Sequence, residues 1–431
     1  MHLGRRSYVL VMLAAVLAIA GTWSGERDLL HLWQIPAGLW LLGLAIEGAL
    51  VSRLRPQLTL ESEPRAFLGR RQPLRFVFTN RSTRPLQLEY APATPEGFAP
   101  PEGVRRVSIP PGARTTDLVA ITPTRLGQRR WPALPGRLLG PLSLAWWGLS
   151  FDPQFSLAVA PEILRSRSRA AGLQLGERTR RSLGPGQELF QLRSYVAGDP
   201  PGRIDWKATA RSGGLITREF SEDQHLDVLI AIDAGRLSRV RAGQLDRLGL
   251  YSNVAASFAE YVVQQDDRIG LVVYADQVLA SCVPARGLRA VTHLRSALEQ
   301  LTVRVAESDP TAAAVTIRRL LRQRALVVVL TDLDDANMAE ALAIAVRLLS
   351  PPHMVVVGGV NGGETAALAQ APAHQWQDPW VSLAAREHER RAAAQRALLE
   401  RLGAPVVAAT PGHLQDALFA RYQELRRRRR V

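Results

Sequence analysis

From Ser7 to Gly25 the chain carries no charged side chain, and Tyr8 to Ala20 is almost wholly apolar. A second apolar run goes from Leu29 to Val51, broken by His31 and Glu47. As a helix, each run is long enough to cross a hydrocarbon core of about 30 Å, the first with little excess. Trp23, Trp33 and Trp40 lie near the ends or in the outer part of these runs, where an indole suits the headgroup belt. Only Ser24 to Asp28 separates them, so residues 1–55 are expected to form a transmembrane helical hairpin.

Past Arg55 the period changes. Leu74-Arg75-Phe76-Val77-Phe78 and Leu86-Gln87-Leu88-Glu89-Tyr90 alternate apolar and polar positions and are bounded by Pro, Gly and Asn. That pattern predicts an antiparallel β domain over 56–161, a small sandwich that serves as spacer or docking module. Residues 162–224 read as a linker to Arg181 followed by a dense polar block from Ser182 to Gln224. From Leu226 buried-type strands alternate with amphipathic helices. The strands are Leu226–Asp233, Arg268–Tyr274, Ala325–Thr331, Met354–Gly358 and Pro405–Ala408; the helices include Leu245–Gln264, Ala312–Gln323, Ala339–Leu349 and Leu383–Leu402. This order predicts a doubly wound parallel α/β sheet over 225–425. A last helix starts at His413 and a polybasic tail closes the chain at 426–431.

Charge decides the orientation of the hairpin. Arg5 and Arg6 precede the first run and Arg53 and Arg55 follow the second, whereas Arg27 in the loop stands beside Glu26 and Asp28. The positive-inside rule puts both termini in the cytoplasm. Ala18-Ile19-Ala20 also resembles a signal-peptide cleavage site, and cleavage there would still deliver the body to the cytoplasm. The single cysteine, Cys282, excludes an intramolecular disulfide and fits a reducing compartment. Glu47, near a membrane face, is expected to snorkel or to pair with an arginine.

The formal charge of +15 favours anionic partners. Arg426, Arg427, Arg428, Arg429 and Arg430 are placed to meet anionic lipid at an inner leaflet. No motif for reading a specific nucleic acid accompanies the charge. All but one of the 54 basic residues are arginine; the exception is Lys207. A lone ammonium near carboxylates can act as an acid or base, so Lys207 with Asp199 or Asp205 is a candidate hydrolase pair. The chain has no phosphate-loop motif for nucleotide hydrolysis and no second histidine completing a zincin helix at His388-Glu389.

In a doubly wound sheet, ligands bind beyond the carboxyl ends of the strands. Asp233 ends the first strand of this domain, Asp332 ends another, and Thr311 lies in the loop before the helix leading there. Two carboxylates and a hydroxyl suit Mg²⁺. This set resembles the metal site of the von Willebrand A domain, which begins D-x-S-x-S and is completed by a distant Thr and Asp. Here the segment reads Asp233-Ala234-Gly235-Arg236-Leu237, so Gly235 and Leu237 replace both serines and Arg236 adds an opposing charge. The site is degenerate, and the other reading pairs Asp233 and Asp332 with arginines or helix N-termini.

The polar block holds Arg193, Tyr195, Gly198, Asp199, Arg203, Asp205, Trp206, Lys207 and Arg211, with charges of both signs between aromatics at short spacing. Such a block can form a network of Arg–carboxylate forks, either structural or recognising another protein. Its pattern, R-x-Y-x-x-G-D through R-x-I-D-W-K-x-x-A-R with one extra residue before Arg203, resembles the signature of a bacterial family of membrane-anchored von Willebrand A-like proteins called domain of unknown function fifty-eight. Arg125-Leu126-Gly127 and Trp147-Gly148-Leu149 are similar to its β-domain pattern, although the Asp-Pro of that pattern is missing. The resemblance implies an inner-membrane protein and, as partner, a MoxR-type AAA+ ATPase. A non-enzymatic adaptor is therefore the favoured function. The hydrolase and a simple polyanion- or lipid-binding protein are the alternatives, and the sequence points to no small-molecule substrate.

Overall fold

The computed structural model describes residues 2–24, 31–101, 103–162, 182–222, 225–333, 336–361 and 363–429. The chain divides into two compact units. The first holds Met1–Glu162, Gly243–Gly249 and Leu298–Thr302; the second holds Ile163–Ala242, Leu250–Ala297 and Val303–Val431.

The first unit starts with a short strand β1 (His2–Leu3) and two helices, α1 (Arg5–Ser24) and α2 (Gln34–Arg53). Both are long and apolar enough to cross a membrane, with mean hydropathy 1.6 each. Only 11% and 17% of their apolar windows are buried, so they are not core helices of the β structure that follows. That structure comprises β2 (Gln57–Glu61), β3 (Arg65–Phe67), β4 (Gln72–Thr79), β5 (Leu86–Tyr90), β6 (Arg105–Ile109), β7 (Arg114–Ile121), β8 (Gly127–Arg130), β9 (Leu134–Leu139), β10 (Ala145–Phe151) and β11 (Ser156–Ala160). They form sheets ordered β1-β10-β9-β5-β6, β2-β4-β7 and β3-β11-β8. Alternation drives this arrangement: in β4, Leu74, Phe76 and Phe78 are fully buried and join Leu88, Tyr90, Ile109, Trp131 and Leu138 in one core. The expected β domain is present, antiparallel except that β3 and β11 pair in parallel.

Glu47 neither snorkels nor meets an arginine. It is fully buried, and its carboxylate accepts the backbone N–H groups of Leu144 at 3.1 Å and Ala145 at 3.2 Å.

Of the expected linker, residues 162–181, all but Glu162 lie outside the described residues. The polar block that follows is a two-stranded antiparallel ladder, β12 (Ser182–Ser194) with β13 (Ile216–Glu222), enclosing a short helix α3 (Trp206–Ser212). The α/β part then runs β14 (Asp227–Asp233), β15 (Arg241–Ala242), β16 (Leu245–Asp246), α4 (Arg247–Gln264), β17 (Arg268–Tyr274), β18 (Val278–Ala285), α5 (Gly287–Glu299), α6 (Pro310–Leu320), β19 (Ala325–Leu330), α7 (Ala336–Leu349), β20 (Met354–Val360), α8 (Gly363–Gln370), α9 (Asp378–Arg401), β21 (Val406–Ala409) and α10 (Leu414–Arg429). Its sheet has the order β18-β17-β14-β19-β20-β21, parallel throughout except for the edge strand β18, antiparallel to β17. This is the von Willebrand A-like doubly wound architecture with one reversed edge. The alternating pattern of β18 is weak, and α5 and α8 are further elements that the sequence reading did not contain.

The inner strands β14, β17, β19 and β20 are buried on both faces. Leu229, Ala231, Val327, Val329 and Val357 pack with Ala313, Ile317, Val346 and Leu399 from α6, α7 and α9. Elsewhere α4 and α10 meet through Phe258, Tyr261, Phe419 and Tyr422, whose rings lie 4.7–5.9 Å apart. The expected polybasic tail is not a tail at its start, because α10 continues to Arg429. Arg426 is tied to buried Asp267 at 3.0 Å and donates to Gln265 Oε1 at 2.6 Å. A buried carboxylate holds this cation, so it is not available to lipid. Arg427 is exposed, the side chains of Arg428 and Arg429 are not described, and Arg430 lies outside the described residues.

Candidate functional site

Two clusters in the second unit carry the residues singled out from the sequence. The first is the loop between β12 and β13. Register pairs Arg193 with Thr217 and Ser194 with Ile216, and two further backbone bonds, Tyr195 N to Leu215 O (2.9 Å) and Asp205 N to Ile216 O (2.8 Å), close the loop. Arg193 donates in bidentate fashion to both oxygens of Asp199, each at 2.8 Å, while its Nε donates to Glu219. Asp199 also accepts Val196 N at 3.0 Å and Thr217 Oγ1 at 3.3 Å. These bonds, Arg193 first, hold the Asp199 carboxyl down at about 2. Gly198 has φ +110°, which a side chain rarely adopts, and this allows the tight turn that brings Asp199 back to Arg193.

Asp205 is the N-cap of α3. Its Oδ1 accepts Ala208 N at 3.0 Å, and its Oδ2 pairs with Arg218 Nε at 3.2 Å. The cap bond comes first among the causes that lower its pKa. Ile204 is buried, and Thr209 Oγ1 accepts Ile216 N at 3.0 Å. The inner members of the block are therefore fasteners. Trp206, at 65% exposure, and Lys207 and Arg211 point outward from α3, with Val196 and Leu215 exposed beside them. Tyr195 and Arg203 are half-buried. Asp199 and Asp205 are each committed to an arginine and to backbone, which leaves the acid–base pairing with Lys207 without geometric support.

The second cluster is the carboxyl end of β14. Asp233 is buried; its Oδ1 accepts Gly235 N at 2.9 Å and Ser308 Oγ at 2.5 Å, and its Oδ2 accepts Thr331 Oγ1 at 2.8 Å. Ser238 Oγ donates to the Asp233 carbonyl at 2.7 Å. The segment 304–308 lies along 234–236 through Arg304 N to Ala234 O and Arg236 N to Ala306 O, both 2.9 Å. A Cβ at Gly235 would stand 2.0 Å from Ser308 Oγ. The hydroxyl missing from position 235 is thus supplied by Ser308, in the space that a side chain there would fill. Tyr274, level with Asp233 in the register, is buried, and burial followed by the Asp233 charge pushes its phenol well above the ordinary range.

Of Asp233, Thr311 and Asp332, the sequence candidates, Asp233 is the one seen in the hydrogen-bonded cluster, where Ser308 and Thr331 join it. Thr311 sits in the first turn of α6, where its N–H donates to the cap residue Asp309 at 2.9 Å, and Asp332 is half-buried just after β19. The sign that could have shown Thr331 is its place directly before Asp332 at a strand end; Ser308 left no local sign. Arg236 is paired with Glu307 at 2.6 Å, so its charge is compensated. One carboxylate with two hydroxyls is a hard-oxygen set of the kind Mg²⁺ accepts. Among the described residues no three or more His, Cys, Asp or Glu side chains converge on a possible metal position, so a cation here would draw part of its shell from hydroxyls and water.

Residues 191–358 match the model of a family described as "Protein of unknown function DUF58". The matched segment contains both clusters and agrees with the resemblance read from the signature block. The uncharacterized protein Rv1480 of Mycobacterium tuberculosis is 27% identical over 202 residues, which are 46% of this chain and 63% of that protein. The chain therefore spans less than two thirds of the length of the curated relatives it matches. Among solved structures, it is similar to the conserved hypothetical protein BatB from Bacteroides thetaiotaomicron (TM-score 0.30, 13% identity, 46% of this chain and 99% of that one). It is also similar to the SpRpn10 VWA domain (TM-score 0.28, 14% identity, 45% and 94%).

Proposed function

We propose that this protein is a membrane-tethered adaptor that presents a preorganised protein-docking surface on its von Willebrand A-like unit. The observation that carries this reading is the division of labour in the signature block. Arg193, Asp199, Glu219 and Asp205 lock the loop from inside, and α3 holds Trp206, Lys207 and Arg211 outward. Exposed Trp and basic side chains on a rigid support are the composition of binding hot spots, and fixing them in advance lowers the entropy lost on docking. The partner that the family resemblance implies is a MoxR-type AAA+ ATPase. Asp233, Ser308 and Thr331 are the groups that would hold Mg²⁺ if docking requires it. Two apolar helices with arginines at both outer ends support anchoring in the bacterial inner membrane, termini in the cytoplasm.

The test is recovery of the tagged full-length protein from native membranes in mild detergent, once with Mg²⁺ and once with EDTA. An AAA+ ATPase recovered with the parent, and lost with Trp206→Ala combined with Lys207→Ala and Arg211→Ala, supports the reading. Retention by that triple variant removes α3 from the surface. Recovery in both buffers removes the cation from docking.

A further inference from the structure

One end of the β structure in the first unit has an unusual charge. The register places three turns there: residues 80–85 between β4 and β5, residues 110–113 between β6 and β7, and residues 140–144 between β9 and β10. Gln57 pairs with Thr79, Thr79 with Arg114, Leu86 with Ile109, and Leu88 with Leu138, so the chain leaving α2 enters β2 at this same end. Arg53, Arg55, Arg81, Arg84 and Arg114 are all exposed here. Residues 53–57, 79–86, 109–114 and 140–145 contain no Asp or Glu.

The turn at 140–144 is also joined to the apolar helices. Buried Glu47 accepts from Leu144 N and Ala145 N, while the Leu144 carbonyl accepts from Gly4 N at 2.6 Å and Ser7 Oγ at 2.5 Å. Trp40 Nε1 donates to Ser7 Oγ at 2.9 Å, and Arg6 donates to the Leu142 carbonyl at 3.2 Å. β1 pairs with β10. Contact is so close that a Cβ on Gly140 would meet the Glu47 carboxylate at 1.4 Å. Irregular backbone is tolerated at membrane depth only where protein groups satisfy it, and here the helices satisfy the turn while the turn satisfies Glu47. Glu47 lies six residues before Arg53, about 9 Å along the helix. Leu142 projects from the tip, 38% exposed, and Trp146 and Trp147 follow on β10, half-buried, as in an interfacial aromatic belt.

We propose that this end of the β structure lies on an anionic phospholipid bilayer, with the 140–144 turn seated in the headgroup–acyl boundary and clamped there by Glu47. The proposal rests on reading α1 and α2 as membrane spans. Each exposed arginine brought within a Debye length of anionic headgroups adds to the attraction. The β structure is then a plate held against the membrane and not a free spacer.

The experiment uses the full chain with Cys282→Ser, in nanodiscs of phosphatidylcholine with or without phosphatidylglycerol. Single labels are placed at Met12→Cys, Leu142→Cys, Thr83→Cys and Asp152→Cys, and quenching by lipid-attached nitroxide is read at each. Asp152 follows β10 at its other end, seven residues or about 23 Å from Ala145. The expected result is strong quenching at positions 12 and 142, none at 152, and quenching at 83 that falls at least twofold without phosphatidylglycerol. Quenching at 12 with none at 142 overturns the proposal and leaves the spans intact. Absence at both positions removes the spans and the proposal together. Equal quenching at 83 in both lipids overturns the anionic contact. In Glu47→Gln, amide exchange at Leu144 and Ala145 should accelerate at least tenfold; unchanged exchange overturns the clamp.

Discussion

The signature block and the Asp233 crevice sit in one unit and invert one another. In the block, the motif is compact in sequence, and its spacing brings Arg193 onto Asp199 and Asp205 onto the N-terminus of α3. In the crevice, the motif is broken at Gly235 and Leu237, yet hydroxyls from Ser308 and Thr331 surround the same carboxylate. Short-range spacing states what nearby residues can do to each other. It is silent about groups that arrive 75 and 98 positions away. A broken local motif is consequently weak grounds for declaring a site lost, and an intact one is weak grounds for declaring every member a contact residue.

The largest effect that would separate the two regions is expected at Asp233. Asp233→Ala strands the buried Thr331 hydroxyl and the Gly235 N–H, and should cost about 3 kcal/mol, read as a lowered denaturation midpoint with an unchanged slope. Next comes Gly235→Ser, which restores the first serine of the motif and yet should destabilise by about 2 kcal/mol through overpacking against Ser308. Adding Ser308→Gly should recover most of that loss. A double variant as unstable as the single would show that Ser308 does not stand in for the missing side chain.

The block should respond to acid. The folded Asp199 carboxyl is depressed to about 2 by Arg193, against about 3.9 in an unfolded chain. A depressed carboxylate contributes stability above the unfolded value and loses it as pH falls towards the folded one. Amide exchange in β12 and β13 should therefore speed up between about pH 4 and pH 2, and Asp199→Asn should flatten that response. The smallest effect belongs to Asp205→Ala, which removes the cap of a seven-residue helix. Exchange at Ala208 and Thr209 should rise while the global melting temperature stays put. A global shift would mean that the block supports the whole unit and not only the surface of α3.

The local pattern by itself determined the two apolar helices, the antiparallel β structure and the five parallel strands of the second unit, because side-chain period and run length are properties of neighbours. It also marked Asp233 and the 193–211 block. The antiparallel edge strand β18, with its mixed burial, was not legible, since an edge strand needs no continuous apolar run. Arg426 looked like one of five equivalent charges, but only the chain fold could single it out for buried Asp267. Glu47 is the same case: its helix predicted exposure or an ion pair, and two amides 97 and 98 residues away took that role. What tertiary structure alone decided is which polar groups meet when water is removed, because a buried donor or acceptor takes whatever partner the fold delivers to it, however distant in sequence.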